Sequence, residues 1–387
     1  MPLNHPGNDI VISGLGLVTP FGAGVAPYWR GLLDGRSALR PARRFAAPPY
    51  RGEPVGEVSG PGPAAGTPRK GAYARAAITE AVEAAGLPGV PADALVILVG
   101  QAPLPGRDAE APATGGDLAA YREFLGPDPA DALAPGRAPG RVLHLSHACA
   151  SAVFAVGFAR AALRAGAAPL AVVAGSSVLN RYEYASMDVV RAVGRDAATP
   201  FDTGRAGISL GEGGGAVVLE TAAHARSRGR AAGLVVAGAA CRVAGAKAAA
   251  SDAELIGGCM RDALEDAAVD GLDHVHAHAT GTVQGDAAEL AAIESVATLA
   301  GARALPVSSH KGAIGHLLHI SGAPALAAAA LALRTGTVPP TAGLAHAEAT
   351  DRVVLPTAPL RLPSARTAAV NSFGFGGNNA TLILRSA

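Results

Sequence analysis

The sequence predicts an α/β fold with a largely parallel sheet, and three observations carry that expectation. Short apolar runs bounded by Gly and Pro alternate with helix-period segments along nearly the whole chain. Hydrophobic residues make up 49% of the 387 positions and charged residues 16%, enough to bury a large core. The alternation also restarts near residue 230, and each half carries one helix of small apolar residues, which points to a duplicated architecture.

The elements follow in chain order. Asp9 to Val18 reads as a buried strand running into a Gly-rich turn. Gly14 and Gly16 invite a dinucleotide-binding motif, but Thr19-Pro20 stands where its third Gly and helix start belong. Residues 26–35 read as a short helix with Trp29, Leu32 and Leu33 on one face. Residues 39–68, rich in Pro, Gly and Arg, read as surface loop; Tyr73–Ala85 reads as a helix and Ala94–Gly100 as a buried strand. Residues 102–140 are dense in Pro, Gly and Ala, with one short helix around Leu118–Leu125. Arg141–Leu145 is the next strand, followed by a helix over Val153–Ala165 and strands at Pro169–Gly175 and Gly215–Leu219. The second half gives a strand at Gly233–Gly238, a helix at Asp252–Ala267, a strand at His274–His278 and a helix at Ala287–Leu299. A strand at Ala304–Ser308, a small-residue helix at Ser321–Arg334 and strands around Ala368–Asn371 and Ala380–Leu384 complete it.

Composition excludes several classes of function. The formal net charge is +1 with no basic or acidic block, so nothing recruits nucleic acid or an anionic membrane. Cys149, Cys241 and Cys259 are widely spaced and form no CxxC pair, which argues against a disulfide framework or a thiolate zinc site and for a reducing cytoplasm. Met1 to Pro6 lacks a signal-peptide pattern, and no apolar run reaches the length of a membrane span.

Chemistry concentrates in five segments. Cys149 lies in His147-Ala148-Cys149-Ala150-Ser151-Ala152, between a strand and a buried helix. Unpaired amides and the helix dipole there would lower its pKa and hold a developing oxyanion. An inert buried thiol is the competing reading of that segment alone. His274, His276 and His278 alternate on a predicted strand and share a face; a metal triad is conceivable there, though no nearby carboxylate completes it. Lys311-Gly312-Ala313-Ile314-Gly315-His316 places a histidine at the start of the next helix, structural when alone and a base or donor beside a thiolate. Pro200-Phe201-Asp202 with Gly211-Glu212-Gly213-Gly214-Gly215 is mainly a turn signature, and Asn371-Ser372-Phe373-Gly374-Phe375-Gly376-Gly377-Asn378-Asn379 is either a hairpin turn or a strained turn aimed at a site.

Taken in order, HACASA at Cys149, HATGT at His278, KGAIGH at Lys311 and His316, and NSFGFGG at Phe375 resemble the β-ketoacyl-acyl-carrier-protein synthases of the elongating Cys-His-His type. SGLGLVTPFG, TPFD and GEGGG extend the likeness over nearly the whole chain. The resemblance implies a thiolase-like fold: two similar halves, residues 1–230 with the nucleophile and 231–387 with the histidine pair, forming a five-layer α-β-α-β-α sandwich. It implies that Cys149 accepts an acyl chain from the phosphopantetheine thioester of an acyl carrier protein. His278 and His316 would stabilise the enolate left by malonyl decarboxylation, and the amides of Cys149 and Phe375 would form an oxyanion hole. Lys311, with Glu289 as its partner, would orient the histidines; Thr280 and Thr282 would bind the pantetheine arm, with Glu289, Phe373 and Asn378 also at the substrate; Phe375 would gate the pocket. No metal and no cofactor beyond the carried phosphopantetheine is implied, and the subunit would form a homodimer or a heterodimer with a chain-length-factor-like partner.

The relatives of this family separate on chemistry. Thiolases need a second cysteine in the C-terminal glycine turn, where NSFGFGGNN has none; initiating synthases use Cys-His-Asn; chain-length factors lack the nucleophile. Two departures stand against the family pattern. Ala279 replaces the usual glycine after the first catalytic histidine, where its methyl would crowd the pantetheine tunnel. Residues 102–140 are short and Pro-rich, in the region that shapes acyl pocket and dimer interface. An acyltransferase that forms no carbon–carbon bond and a non-elongating partner subunit therefore stay open beside the condensing enzyme.

Overall fold

A computed structural model describes residues 8–59, 68–101, 124–133, 140–231, 233–243 and 251–386. The short helix expected around Leu118–Leu125 lies outside these residues save for its last two positions.

Each half of the chain builds the same five-stranded pattern. In the first half the spatial order is Arg141–Leu145, Leu95–Val99, Leu170–Ser177, Gly213–Thr221, Ile10–Thr19. In the second it is Leu305–Ser308, His274–His276, Thr367–Gly374, Asn378–Ser386, Leu234–Val243. Numbered by chain position within each half, both read third, second, fourth, fifth, first. The first two pairings of each series are parallel and the last two antiparallel. The expected largely parallel sheet is thus corrected to a mixed one, because buried strands give the same continuous apolar run in either sense. The two first strands join the halves edge to edge through Val11↔Val235 and Ile12↔Leu234.

Five layers result. The helices Ser151–Arg164 and Gly322–Thr335 pack on each other and against strands of both halves, which makes them the central layer. Arg69–Ala84 covers the outer face of the first half; Ala253–Ala267 covers the second, with Val283–Leu299 against it. The central Gly322–Thr335 helix is almost wholly Ala, Gly and Leu, and its buried residues run nearly all round it. A helix enclosed on every side needs apolar residues on every face, and small ones let the sheets close over it. Gly14 and Gly16 serve a related end: a β-carbon there would lie 1.9 and 2.0 Å from the carbonyl oxygens of Ala81 and Ala77. These glycines seat an outer helix directly on the first strand, where a nucleotide motif had been weighed and set aside.

Several boundaries differ from expectation. The histidine-bearing strand ends at His276, so His278 sits in the irregular segment beyond it and does not share the strand face. Helices Arg181–Val189 and Ala222–Ser227 were not anticipated. Residues 39–68 contain a small antiparallel pair, Arg40–Pro41 with Pro54–Val55.

Candidate active site

The duplicated topology brings chemistry to the carboxyl ends of corresponding strands, where α/β sheets bind ligands. Cys149 follows the third strand of the first half, just before a central helix. His316 follows the third strand of the second half, also before a central helix; His278 follows its second strand; Phe373 and Gly374 end its fourth. Cys149, His278, His316, Thr280, Thr282, Glu289, Phe373 and Phe375 all line one cavity of about 380 Å³. Lys311 and Asn378 are not among its lining residues.

Cys149 sits on a sharp turn. Ala148 adopts a positive φ of 46°, the left-handed region that costs a non-glycine residue strain. Ser151 locks the turn: its Oγ accepts from the His147 amide at 2.7 Å and donates to the Ala148 carbonyl at 2.6 Å. Ser372 Oγ donates to the Cys149 carbonyl at 2.8 Å, tying the elbow to the C-terminal glycine turn. A β-carbon on Gly374 would stand 2.7 Å from the Cys149 amide nitrogen, so only glycine lets the two turns touch. The expected acidic thiol is corrected. Burial pushes Cys149 up to about 11, with the Lys311 charge pulling the other way. The helix begins at Ser151, two residues downstream, and loss of water outweighs its amides.

The imidazoles of His278 and His316 meet edge to face with ring centres 5.4 Å apart, and Phe373 packs on His278 at 5.3 Å. Burial holds both well below the ordinary histidine pKa, and the Lys311 charge adds to the effect, so both rings are neutral at physiological pH. His278 is held through its backbone. Glu289 accepts its amide at 2.8 Å and that of Ala279 at 2.7 Å, while Lys311 Nζ donates to its carbonyl. Burial raises Glu289 and lowers Lys311. The lysine and glutamate thus clamp the main chain on either side of the His278 ring. His316 is anchored by its amide to the Ser209 carbonyl at 2.8 Å and by Nδ1, 3.1 Å from Ser321 Oγ.

Thr280 and Thr282 have their hydroxyls 3.2 Å apart on the cavity wall. Asp286 positions that loop, accepting the amides of Thr280 at 2.9 Å and Phe201 at 3.0 Å. Ala279 is buried on the wall, and Ser309 Oγ donates to its carbonyl at 2.8 Å. Phe373 is buried, whereas Phe375 stands on the rim at 41% exposure. Asn378 braces the turn, its Nδ2 donating to the Phe375 carbonyl at 2.6 Å; the neighbouring Asn379 is the asparagine that lines the cavity.

Sequence reasoning missed Asn371, Ser321 and Asp286. Asn371 Nδ2 donates to Glu289 at 3.1 Å, and its Oδ1 accepts from Thr381 at 3.0 Å. Asp286 stands in the first turn of the Val283–Leu299 helix, where an acidic residue was a usable signal. Among the described residues no group of three His, Cys, Asp or Glu side chains is placed to hold a metal ion. His274 and His276 turn instead to Ser308 at 3.1 Å and His310 at 3.0 Å.

Residues 72–225 match the β-ketoacyl synthase N-terminal domain, and residues 234–345 match the β-ketoacyl synthase C-terminal domain. The chain belongs to the β-ketoacyl synthase family. An oxytetracycline polyketide β-ketoacyl synthase of Streptomyces rimosus is 31% identical over 98% of this chain and 97% of its own length. A 3-oxoacyl-acyl-carrier-protein synthase 2 of Rhizobium meliloti is 35% identical over 62% of this chain, an alignment that spans 59% of the relative. The solved ishigamide ketosynthase/chain length factor superposes with a TM-score of 0.83 at 30% identity, covering 98% of this chain and 99% of that one. This β-ketoacyl synthase is a ketosynthase of the fatty-acid or polyketide kind on a thiolase-like fold. Among the described residues no helix is long and apolar enough to cross a membrane.

Proposed function

We propose that this synthase carries an acyl chain on Cys149 and extends it by decarboxylative condensation with a malonyl thioester. The observation that supports this most is the convergence of one thiol and two neutral imidazoles on a single cavity. In the first step Cys149 Sγ attacks the acyl-pantetheine carbonyl. The pantetheine carbon–sulfur bond breaks, and the departing sulfur takes up the proton that the Cys149 thiol gives up. The amides of Cys149 and Phe375 hold the oxyanion, with Gly374 letting the C-terminal turn approach the Cys149 amide; one such donor is worth about 3–4 kcal/mol in comparable sites.

In the second step the malonyl thioester loses CO₂, and the electron pair becomes an enolate. His278 and His316 donate to its oxygen. The enolate carbon attacks the Cys149 thioester, a carbon–carbon bond forms, and the cysteine sulfur leaves. Neutral imidazoles suit this step, since each carries one N–H to donate and a protonated neighbour would repel the other.

Thr280, Thr282 and Asn379 are assigned to the pantetheine arm, Phe373 to the cavity wall and Phe375 to the rim as a gate. Lys311 and Glu289 act as positioning residues for His278, and Asn378 as a brace of the gate turn. The substrate carrier is an acyl carrier protein, and its phosphopantetheine is the one prosthetic group involved. Residues 1–230 and 231–387 are taken as the nucleophile-bearing and histidine-bearing halves. The dimer partner is a second subunit of this fold, identical or chain-length-factor-like, as in the ishigamide ketosynthase/chain length factor. A reducing cytoplasm suits the three free cysteines.

Intact-mass analysis with a panel of acyl carrier thioesters tests the first step. Wild type gains the acyl mass, and Cys149→Ala gains none. Equal labelling of the two proteins would assign the nucleophile elsewhere.

A further inference from the structure

Behind His316, on the side away from the cavity, buried side chains form a chain of hydrogen-bonding groups. His316 Nδ1 lies 3.1 Å from Ser321 Oγ, and Ser321 Oγ lies 3.4 Å from His310 Nε2. His310 Nδ1 lies 3.0 Å from His276 Nε2, with the two rings stacked at 5.2 Å. His276 Nδ1 ends the chain, buried and without a hydrogen-bond partner among the described residues. The four residues come from three places: the end of the His274–His276 strand, the Ser309–His316 segment and the start of a central helix.

We propose that Ser321, His310 and His276 are positioning residues that fix His316 in the tautomer bearing its proton on Nε2, so that it faces the cavity as a hydrogen-bond donor. The inference deepens the condensation mechanism and rests on the role given there to His316.

The number of protons available decides the direction of the chain. A neutral imidazole has one N–H, and a serine hydroxyl donates once. Ser321 could accept from both neighbouring histidines only by leaving its own buried O–H unused; with that hydroxyl donating into the chain, the chain runs in one of two directions. In the first, His276 Nε2–H donates to His310 Nδ1, His310 Nε2–H donates to Ser321, and Ser321 donates to His316 Nδ1. His316 then carries its proton on Nε2, and the orphan at the far end is a bare acceptor nitrogen. In the second, every donor reverses. His316 presents a bare Nε2, and His276 is left with an orphan N–H in the interior. Buried N–H groups without partners are the rarer defect in proteins, which selects the first direction.

Neutrality of the chain is secured by its surroundings. Burial holds His276, His310 and His316 well below the ordinary histidine pKa. The charged and titratable neighbours that face them are Lys311, His274, His278 and His319, and each acts in the same direction. His278 has no such chain: among the described residues its Nδ1 is buried without a partner, and its backbone carries the anchoring. The two catalytic imidazoles are thus held by different means.

Nuclear magnetic resonance of protein labelled with ¹⁵N-histidine reads the tautomer directly, without substrate. The expected spectrum shows His316 with a bare Nδ1 and a protonated Nε2, unchanged from pH 8 to pH 6. Ser321→Ala is expected to give a mixture of tautomers, and Ser321→Thr, which keeps the hydroxyl, to restore one. In single-turnover kinetics Ser321→Ala is expected to slow malonyl decarboxylation by about 10- to 100-fold, the range found when a hydrogen-bonding partner of a metal-bound histidine is lost, while acylation of Cys149 is spared. A proton on Nδ1 of His316 in the wild type overturns the inference. So does a Ser321→Ala protein with unaltered tautomer and unaltered decarboxylation. A wild type with the donor tautomer but no decarboxylation activity would instead refute the condensation mechanism and leave the chain intact.

Discussion

Cys149 shows how a residue can be legible in type and illegible in state. Its place after a strand and before a small-residue helix makes it a candidate nucleophile, a role that the family resemblance implies, yet its acidity depends on what else fills the cavity. Lys311 and the elbow's own amides favour the thiolate, and burial overrides them. With the thiol raised to about 11, the thiolate fraction rises tenfold per pH unit below that value. Alkylation of Cys149 by iodoacetamide is therefore expected to accelerate continuously from pH 7 to pH 10. A plateau near neutrality, followed by peptide mapping, would show an acidic thiol and contradict this balance. The same limit applies to the carboxylates and amides around the site. Glu289 and Lys311 were readable as a pair, but not that each grips the main chain of His278. Asn371 lies inside a recognised motif and Ser321 opens a predicted helix, without any local pattern that announces which way their side chains turn.

Elements were recovered where burial was one-sided or complete, since apolar periodicity records burial. The strands and the two central helices fall within a few residues of expectation. What periodicity does not record is strand sense, and the mixed pairing in both halves was missed for that reason. The Arg181–Val189 helix was missed although Asn180 and Glu183 spell an N-terminal cap; Asn180 Oδ1 accepts the Glu183 amide at 2.9 Å. Its largely polar composition masked it. Two substitutions test element packing. Gly14→Ala drives a methyl into the Ala81 carbonyl and is expected to cost about 1–3 kcal/mol or more by urea unfolding, as overpacked cores do. Asp252→Ala removes the cap that accepts the Glu254 and Leu255 amides, and about 1 kcal/mol is expected. A Gly14→Ala protein as stable as wild type would mean that the outer helix is not seated on the first strand.

At the scale of the whole molecule, duplication explains both fold and site. Two copies of one strand order place corresponding loops at a common junction. One copy supplies sulfur and the other supplies imidazole. The repeat is faint in sequence because the halves share topology and not residues. The same architecture sets a pH response. His274, His276 and His310 are fully buried and kept neutral by desolvation. Below about pH 6.5 the unfolded chain binds protons that these folded sites refuse, so stability falls as pH falls. Each group contributes about 1.4 kcal/mol per pH unit while it stays neutral; for His274 the window extends down to a folded pKa of about 3. Urea midpoints taken at pH 7, 6 and 5 are expected to decline with a slope that steepens below pH 6.5, and Tm with them. A flat profile would show that these histidines are hydrated or paired with acid.

The most direct test of the convergence of Cys149, His278 and His316 is a single turnover. Enzyme acylated on Cys149 is mixed with malonyl-loaded carrier, and the carrier products are weighed. Release of one CO₂ and a β-ketoacyl carrier two carbons longer than the loaded chain are expected in wild type but in neither His278→Ala nor His316→Ala. An acyl-enzyme that stays loaded, or passes its chain on unextended while malonyl carrier keeps its carboxylate, would contradict that expectation.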